Sequence, residues 1–419
     1  MRLRTRHYVT MNVYWFGLAF LWNGLHPIIL PALLLQWVPD SLKNTYLGGM
    51  TFVGLILAMV IQPLVGAFSD RTRSRWGRRR PWILAGTLFS LVFLAGMALA
   101  GGLWGLLLGY LLLQVASNTA HGPAQGLIPD LVPSDRRGLA SGIKNLFDMG
   151  GLVVTSLVAG QLMGQDNPGL AFAITGSVLV ACALITILAT PEKPISAADP
   201  SPAGASLRSL VQVDFRRYPA YTWLLLSRFL ILLGIYAVQG FAQYFIRDRL
   251  GVSNAAEVTG NLMATIGLTL TLLVFPAGWL SDRFGRLRLN LFSGALASLG
   301  ILLLILVKDV TSLYLFGAII GMATGIFLSV NWALATDLIP LEEAGKYLGL
   351  SNLATAGASA ASRLGGPFID GLNALRPDAY WGYPALFILA SASALAGTLL
   401  MRRIRTLPRQ SALGMEESD

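Results

Sequence analysis

Charged residues are scarce in this sequence. Only 12% of its 419 residues are charged and 54% are hydrophobic, whereas a soluble domain has roughly 25% charged residues. The charges lie in short segments between long apolar stretches, each close to the roughly 20 residues that a helix needs to cross hydrocarbon. Since backbone polar groups in lipid must be satisfied within the segment, the composition excludes a soluble globular protein and predicts an all-α polytopic membrane protein.

Cysteine and clustered metal ligands are also nearly absent. The single cysteine, Cys182, excludes an intrachain disulfide framework. His26 and His121 have no third ligand at a spacing that suits a metal ion. The pair Gly345-Lys346 lacks the upstream glycine and the following Ser or Thr of a nucleotide-binding loop. We therefore expect no cofactor, no metal, no catalytic residue and no ATP-driven pump.

The apolar stretches predict twelve transmembrane helices, near residues 11–38, 46–68, 81–100, 104–130, 139–163, 169–190, 221–246, 258–279, 288–307, 312–338, 347–371 and 384–401. The longest polar stretch between them is rich in proline and resembles a flexible linker. It divides the chain into an N-terminal six-helix bundle (1–190), a cytoplasmic linker (191–220), a C-terminal six-helix bundle (221–402) and a cytoplasmic tail (403–419).

Basic residues predict the orientation. Most of the 31 Lys and Arg residues fall between alternate spans, with the densest cluster just after the second span at Arg71, Arg73, Arg75, Arg78, Arg79 and Arg80. Positive charge resists translocation, so we expect both termini in the cytoplasm and the protein in the plasma (inner) membrane. The net charge of +10 then reflects topology rather than nucleic-acid binding. The basic N-terminus resembles a signal peptide, but its apolar run continues too far.

The two halves of the chain share landmarks. Gly66-Ala-Phe-Ser-Asp70-Arg71 follows span two, and Gly278-Trp-Leu-Ser-Asp282-Arg283 follows span eight. Further along, a second set recurs at one constant offset: Asp130, Pro133, Gly138, Gly142 and Asn145 match Asp337, Pro340, Gly345, Gly349 and Asn352. Matching landmarks at matching spans indicate duplication, and parallel repeats are a known plan of transporters.

These two loops resemble the signature loops of the major facilitator superfamily. The longer first loop, 69–81, is most similar to those of the sucrose-transporter-like and glycoside–cation symporter branches. The resemblance implies two homologous six-helix bundles and a cytoplasmic gate that these loops close, with Asp70, Arg71, Asp130, Asp282, Arg283 and Asp337 as the gate residues. By the repeat, Asp70 would brace span eleven and Asp282 span five.

Polar residues inside the spans are uneven, and spans three, six and twelve contain no charged or carboxamide residue. Span four carries Gln114, Asn118, His121 and Gln125 on one helix face. Intramembrane polar groups usually face the bundle interior, which predicts a polar cavity. The expected substrate-binding residues are Trp22, His26, Asn118, His121, Gln125, Gln239, Asn331 and Arg363.

Each of these residues also has a structural interpretation. Amides in membrane helices often only join neighbouring helices. Arg363 could pair with Asp370 two turns away, and Trp22 could be a stacking surface or an interface anchor. For Trp15, near a span end, we favour an interface anchor.

One pair of charges in span five suggests ion coupling. Asp148 is the only carboxylate clearly away from a span end, and Lys144 lies one turn from it. Burial and a nearby cation act oppositely on a carboxylate, so Asp148 and Lys144 could form a proton site or a permanently ionised pair. Span two offers Gln62 where melibiose-type symporters have acids, which disfavours sodium coupling.

The leading hypothesis is a monomeric secondary transporter that moves a small polar solute, a sugar or glycoside, with a proton across the lipid bilayer. A multidrug–proton antiporter is the alternative, although span five (141–151) lacks the proline of that signature. A polytopic membrane enzyme or a non-transporting solute sensor on the same fold remain further possibilities.

Overall fold

The computed structural model describes residues 4–192, 218–339 and 344–404, with side chains omitted at 344–346. Most of the expected linker (191–220) and tail (403–419) therefore lies outside the described residues. We number the helices by span: α2 Lys43–Arg71, α3 Arg80–Ala98, α4 Leu103–Leu131, α5 Arg137–Gly164, α6 Pro168–Ala189, α7 Pro219–Leu250, α8 Ala255–Phe284, α9 Arg286–Leu303, α10 Val310–Asp337 and α12 Gly382–Met401. Helices α1 and α11 are interrupted.

All regular secondary structure in the described ranges is helical, which confirms the all-α prediction. Eleven helices there are long and apolar enough to cross a membrane, and α11 is the twelfth. Their ends lie within a few residues of the predicted spans, because span length and apolar composition are local properties of the chain.

Helix α1 has a π-turn near its middle. It runs Val13–Gly24, then a π-helical turn Leu25–Ile29, then Leu30–Leu34, and a short helix Thr5–Thr10 precedes it. Pro27 lies in the π-turn and has no backbone N–H to donate, which perturbs the regular ladder. Such turns are frequent at functional sites, and this one carries His26.

Helix α11 is broken, although the sequence predicts one continuous span at 347–371. It consists of Ala344–Ser362 and Gly365–Leu375. The ring of Pro367 would clash with the carbonyl group four residues earlier, that of Arg363. The chain instead forms tighter bonds, from Arg363 N to Ala360 O (3.1 Å) and from Gly366 N to Arg363 O (3.2 Å).

The two halves contact each other mainly through α5 with α8 and α2 with α11. Glycines allow these helices to approach closely. A Cβ atom on Gly48 would lie 2.3 Å from the Arg363 carbonyl oxygen, and one on Gly260 would lie 2.3 Å from Ser156 O. Larger residues at these glycines would separate the halves.

The two ends of the bundle are bonded differently. At the end that carries Arg71–Arg80, which we call the basic end, the ion pairs of the described residues stay within one half, as in Arg286–Asp337 (2.6 Å). At the opposite end, bonds cross between halves, as in Lys43–Asp248 (2.8 Å). The structure is therefore held closed at the opposite end.

Candidate functional site

A row of polar side chains from α1 and α4 lies inside the first half. His26 Nε2 is 3.0 Å from the Tyr110 hydroxyl group, which accepts a hydrogen bond from Gln114 Nε2 at 2.8 Å. Asn118 Nδ2 donates to Gln114 Oε1 at 3.2 Å. The one-turn spacing on α4 and the π-turn of α1 bring these groups together. We call His26, Tyr110, Gln114 and Asn118 the polar row.

An aromatic ring covers one end of the polar row. The ring centroids of Trp22 and His26 are 4.9 Å apart, and their planes differ by 32°. Both side chains are only partly buried. Trp22 therefore presents an indole face beside the polar row, where a sugar ring could stack.

Arg228 of α7 lies inside the second half and has neutral partners. Its Nε donates to Thr355 Oγ1 at 3.0 Å, and its Nη1 donates to Asn331 Oδ1 at 2.7 Å. Its guanidinium carbon is 5.9 Å from the Trp332 ring centroid. Asn331 is thus a partner of Arg228, while its own Nδ2 is buried with no hydrogen-bond partner.

Arg363 lies at the break in α11 and is 8% exposed. Its Nη1 occupies the space beside Gly240, where an added Cβ would lie 2.2 Å away, and its Nε has no hydrogen-bond partner. Asp370 does not neutralise it, because that carboxylate accepts from Asn44 Nδ2 (2.8 Å) and from the backbone N–H of Thr45 (2.6 Å). The Arg363–Asp370 pair considered from the sequence is therefore not formed. Asp370 instead contacts Asn44 and Thr45 of the other half.

Tyrosines connect the two arginines and the polar row. Arg363 lies within electrostatic range of Tyr110 and Tyr236, and Arg228 lies within range of Tyr236 as well. Tyr236 is therefore close to both guanidinium groups, and Arg363 faces the polar row across the interface between halves.

A second cluster on α5 contains the expected coupling residues. Lys144 Nζ is 2.7 Å from Asp148 Oδ2, and the two side chains are 25% and 24% exposed. The ammonium group also lies 3.8 Å from the Trp15 ring centroid, and Trp15 contacts the His121 ring edge-on at 5.1 Å. Trp15 is 6% exposed and packs against Lys144 and His121 inside the bundle, so the interpretation of Trp15 as an interface anchor is wrong.

The remaining expected substrate residues lie apart from the polar row. Gln125 is exposed and its Nε2 is 3.4 Å from His121 Nε2. Gln239 borders an apolar pocket with Leu262 and Ile266. The structure thus brings Trp22, His26 and Asn118 together, with Arg363 facing them. It places Asn331 with Arg228 inside the second half, and His121 and Gln125 with the α5 cluster.

The expected gate residues lie at the basic end in both halves. Asp70 and Asp130 both pair with Arg79, the latter at 2.8 Å. In the second half, Arg286 Nη2 is 3.3 Å from Asp282 and Nη1 is 2.6 Å from Asp337. The two halves repeat the same arrangement, in which one arginine holds both carboxylates. Arg71 and Arg283 are exposed beside them.

Sequence reasoning missed the buried cluster that closes the opposite end. Lys43 and Asp248 form an ion pair with side chains only 2% and 3% exposed, and the Tyr383 hydroxyl group donates to Asp248 at 2.6 Å. Both charged residues lie at span ends, where charges are normally solvated. Their positions in the sequence therefore carried no signal of burial.

Comparison with known proteins identifies the family. The sequence model of the Major Facilitator Superfamily matches residues 8–362, with a second match at 224–417. The chain therefore belongs to the Major Facilitator Superfamily, whose members are membrane transporters and not enzymes.

Two curated relatives and one solved structure illustrate the similarity. The chain is 31% identical over 218 residues to proton-associated sugar transporter A of Homo sapiens, covering 46% of this chain and 28% of that protein. It is 26% identical over 405 residues to the lactose permease of Lactobacillus helveticus, covering 88% and 60%. The matches thus span less than two thirds of these relatives. The crystal structure of a D-xylose-proton symporter shares the fold, with a TM-score of 0.70, 18% identity and coverage of 93% and 97%.

Proposed function

We propose that this protein is a secondary active transporter that moves a sugar or glycoside by alternating access, coupled to protons. The observation that carries the proposal is the polar row of the first half facing Arg363 of the second half across one interface. Donors and acceptors from both halves suit a ring with many hydroxyl groups. The similarity to a proton-associated sugar transporter and to a lactose permease supports the same solute class.

Alternating access follows from the different bonding of the two ends. Contacts between halves close the opposite end, while the ion pairs of the basic end lie within single halves. We infer that solute enters and leaves this conformation from the basic end. Rocking of one half against the other around a central site is the usual mode of such repeats.

The orientation of the protein, the membrane in which it lies and its oligomeric state also form part of the proposal. Basic loops are retained in the cytoplasm, so the basic end faces the cytoplasm and both termini lie there. We place the protein in the plasma (inner) membrane. We propose a monomer, because each chain contains a complete two-half site.

Uptake into vesicles tests the proposed function. Purified protein in proteoliposomes should accumulate one member of a panel of labelled neutral and acidic mono- and disaccharides when the pH outside is below the pH inside. A protonophore should abolish the accumulation but spare exchange, and protein-free vesicles provide the background. If no carbohydrate on the panel is transported in either direction, the proposal is wrong.

Neutralising Asp70 should cripple transport. In this conformation Asp70 pairs with Arg79; we propose that it braces α11 when the basic end closes. A carboxylate near a helix N-terminus contributes about 0.3–1 kcal/mol, and up to about 2 kcal/mol where it is partly buried. Since a loss of about 1.4 kcal/mol corresponds to a factor of ten, Asp70→Asn should slow solute exchange up to about tenfold with normal expression. Asp135→Asn, at a side chain that is 72% exposed, is the matched control. Wild-type exchange rates in Asp70→Asn would argue against a gate.

A further inference from the structure

Two arginines inside the membrane region lack a carboxylate partner. Arg228 is 6% exposed and Arg363 is 8% exposed. In the part of the chain that the structure describes, neither guanidinium group forms an ion pair. The Lys144–Asp148 pair uses the one carboxylate that lies well inside a span. These two positive charges therefore have no neutralising group among the residues that the structure describes.

An unpaired buried charge is costly, and intramembrane charges normally pair with one another. The partners of Arg228 are neutral: Asn331, Thr355 and the face of Trp332. Arg363 is the less satisfied of the two, because its Nε has no hydrogen-bond partner. Hydrogen bonds from neutral groups satisfy donors but leave the net charge in place.

We propose that the transported solute is an anionic carbohydrate, a sugar that carries a carboxylate or phosphate group, and that this group binds the Arg363 guanidinium group. The inference rests on the proposed function and names the class of its solute. The planar fork of a guanidinium group matches the paired oxygen atoms of a carboxylate or a phosphate. The Arg363 guanidinium group occupies the space beside Gly240 of α7, and Tyr236, one turn earlier on the same helix, lies within its electrostatic range.

The positions of the polar row and of Trp22 indicate where the rest of the solute binds. The polar row faces Arg363 from the first half, and His26 is within its electrostatic range. The hydroxyl groups of the sugar therefore bind the polar row, and one ring face stacks on Trp22. Such a solute contacts both halves at once, so its charge also draws the halves together.

Matched pairs of sugars test the charge requirement on the full-length protein in detergent. Binding of lactobionate is compared with lactose, and binding of D-glucuronate with its methyl ester, by isothermal titration. We expect the acids to bind about thirtyfold or more tightly than the neutral partners, as for a buried charge pair that loses one member. D-Glucose 6-phosphate distinguishes the anion: if it binds more tightly than D-glucuronate the group is a phosphate, otherwise a carboxylate.

Substitutions at Arg363 test whether this residue causes the preference for acids. Arg363→Gln should reduce the preference for each acid over its neutral partner to about one, whereas Arg363→Lys should keep part of it, since the charge remains but the fork is lost. Arg136→Gln, at an exposed side chain, is the control. The sugar pairs use wild-type protein, so the test does not depend on folding of the variants.

Two results would overturn the inference and can be told apart. One result is equal affinity for acids and neutral partners, or an unchanged preference for acids in folded Arg363→Gln. Either finding would show that Arg363 does not select an anionic solute, and the proposed sugar transport would be unaffected. Failure of every acid and every neutral sugar in both binding and vesicle transport would overturn the proposed function itself.

Discussion

Replacing Asp248 with asparagine should open the end of the protein that is closed in this structure. The carboxylate of Asp248 neutralises Lys43, whose side chain is 2% exposed, at 2.8 Å across the interface between halves. Removing one member of a buried ion pair costs about 3–5 kcal/mol. The lower value applies here, because the half-exposed Asp40 remains 3.2 Å from Lys43. A loss of about 3 kcal/mol shifts a two-state equilibrium roughly 150-fold.

Spin labels on the two halves measure this shift. Positions Gly101 and Lys308 are exposed at the same end, one in each half. With Cys182 replaced by serine and cysteines introduced at these positions, pulsed dipolar spectroscopy should show one short distance in the parent. In Asp248→Asn a longer distance should dominate.

A double variant separates charge from packing. Lys43→Met combined with Asp248→Asn removes both charges and leaves an oxygen for the Tyr383 hydroxyl group, which now donates to Asp248 at 2.6 Å. Because no unpaired charge is then buried, the short distance should largely return. An unchanged distribution in Asp248→Asn alone would refute the role of this pair in closing the end.

Neutralising Asp148 should abolish proton-driven accumulation and spare exchange. The Asp148 side chain is 24% exposed and lies 2.7 Å from Lys144 Nζ, so the carboxylate faces both a cation and the partly open interior. A carboxylate that loses water or its cation during the transport cycle gains affinity for a proton. We therefore propose that it loads a proton in one conformation and releases it in the other.

The measurement compares two activities of Asp148→Asn in proteoliposomes. Counterflow exchange should stay within a few-fold of wild type, whereas uphill accumulation under an imposed pH gradient should fall to the protein-free background. Asp166→Asn is the matched control, because Asp166 is exposed and its φ of 53° suits asparagine. Accumulation that persists in Asp148→Asn would exclude Asp148 as the proton carrier.

A second variant distinguishes coupling from a purely structural ion pair. If the pair only holds α5 in place, removing both charges with Lys144→Met and Asp148→Asn should restore stability and accumulation together. If Asp148 carries the proton, the double variant should fold and exchange solute but still fail to accumulate it.

Residues within one or two helical turns of each other were predictable. The Lys144–Asp148 pair and the Gln114–Asn118 contact both follow from one-turn spacing on a helix. The partners of Arg228 and Asp370 were not, because they lie on other helices, as in the Asn44–Asp370 bond. Which helix faces such a residue depends on the rotation and tilt of each span, and apolar composition does not encode either.

The sequence by itself determined the all-α membrane class, the number of spans, the duplication and the candidate polar faces, because hydropathy and helical periodicity are local. Only the tertiary structure decided that Arg363 lies at a helix break without a carboxylate, and that Lys43 and Asp248, 205 residues apart, close one end. Such contacts arise where two separately folded halves meet. The energy of a buried charge is set by what the other half places beside it.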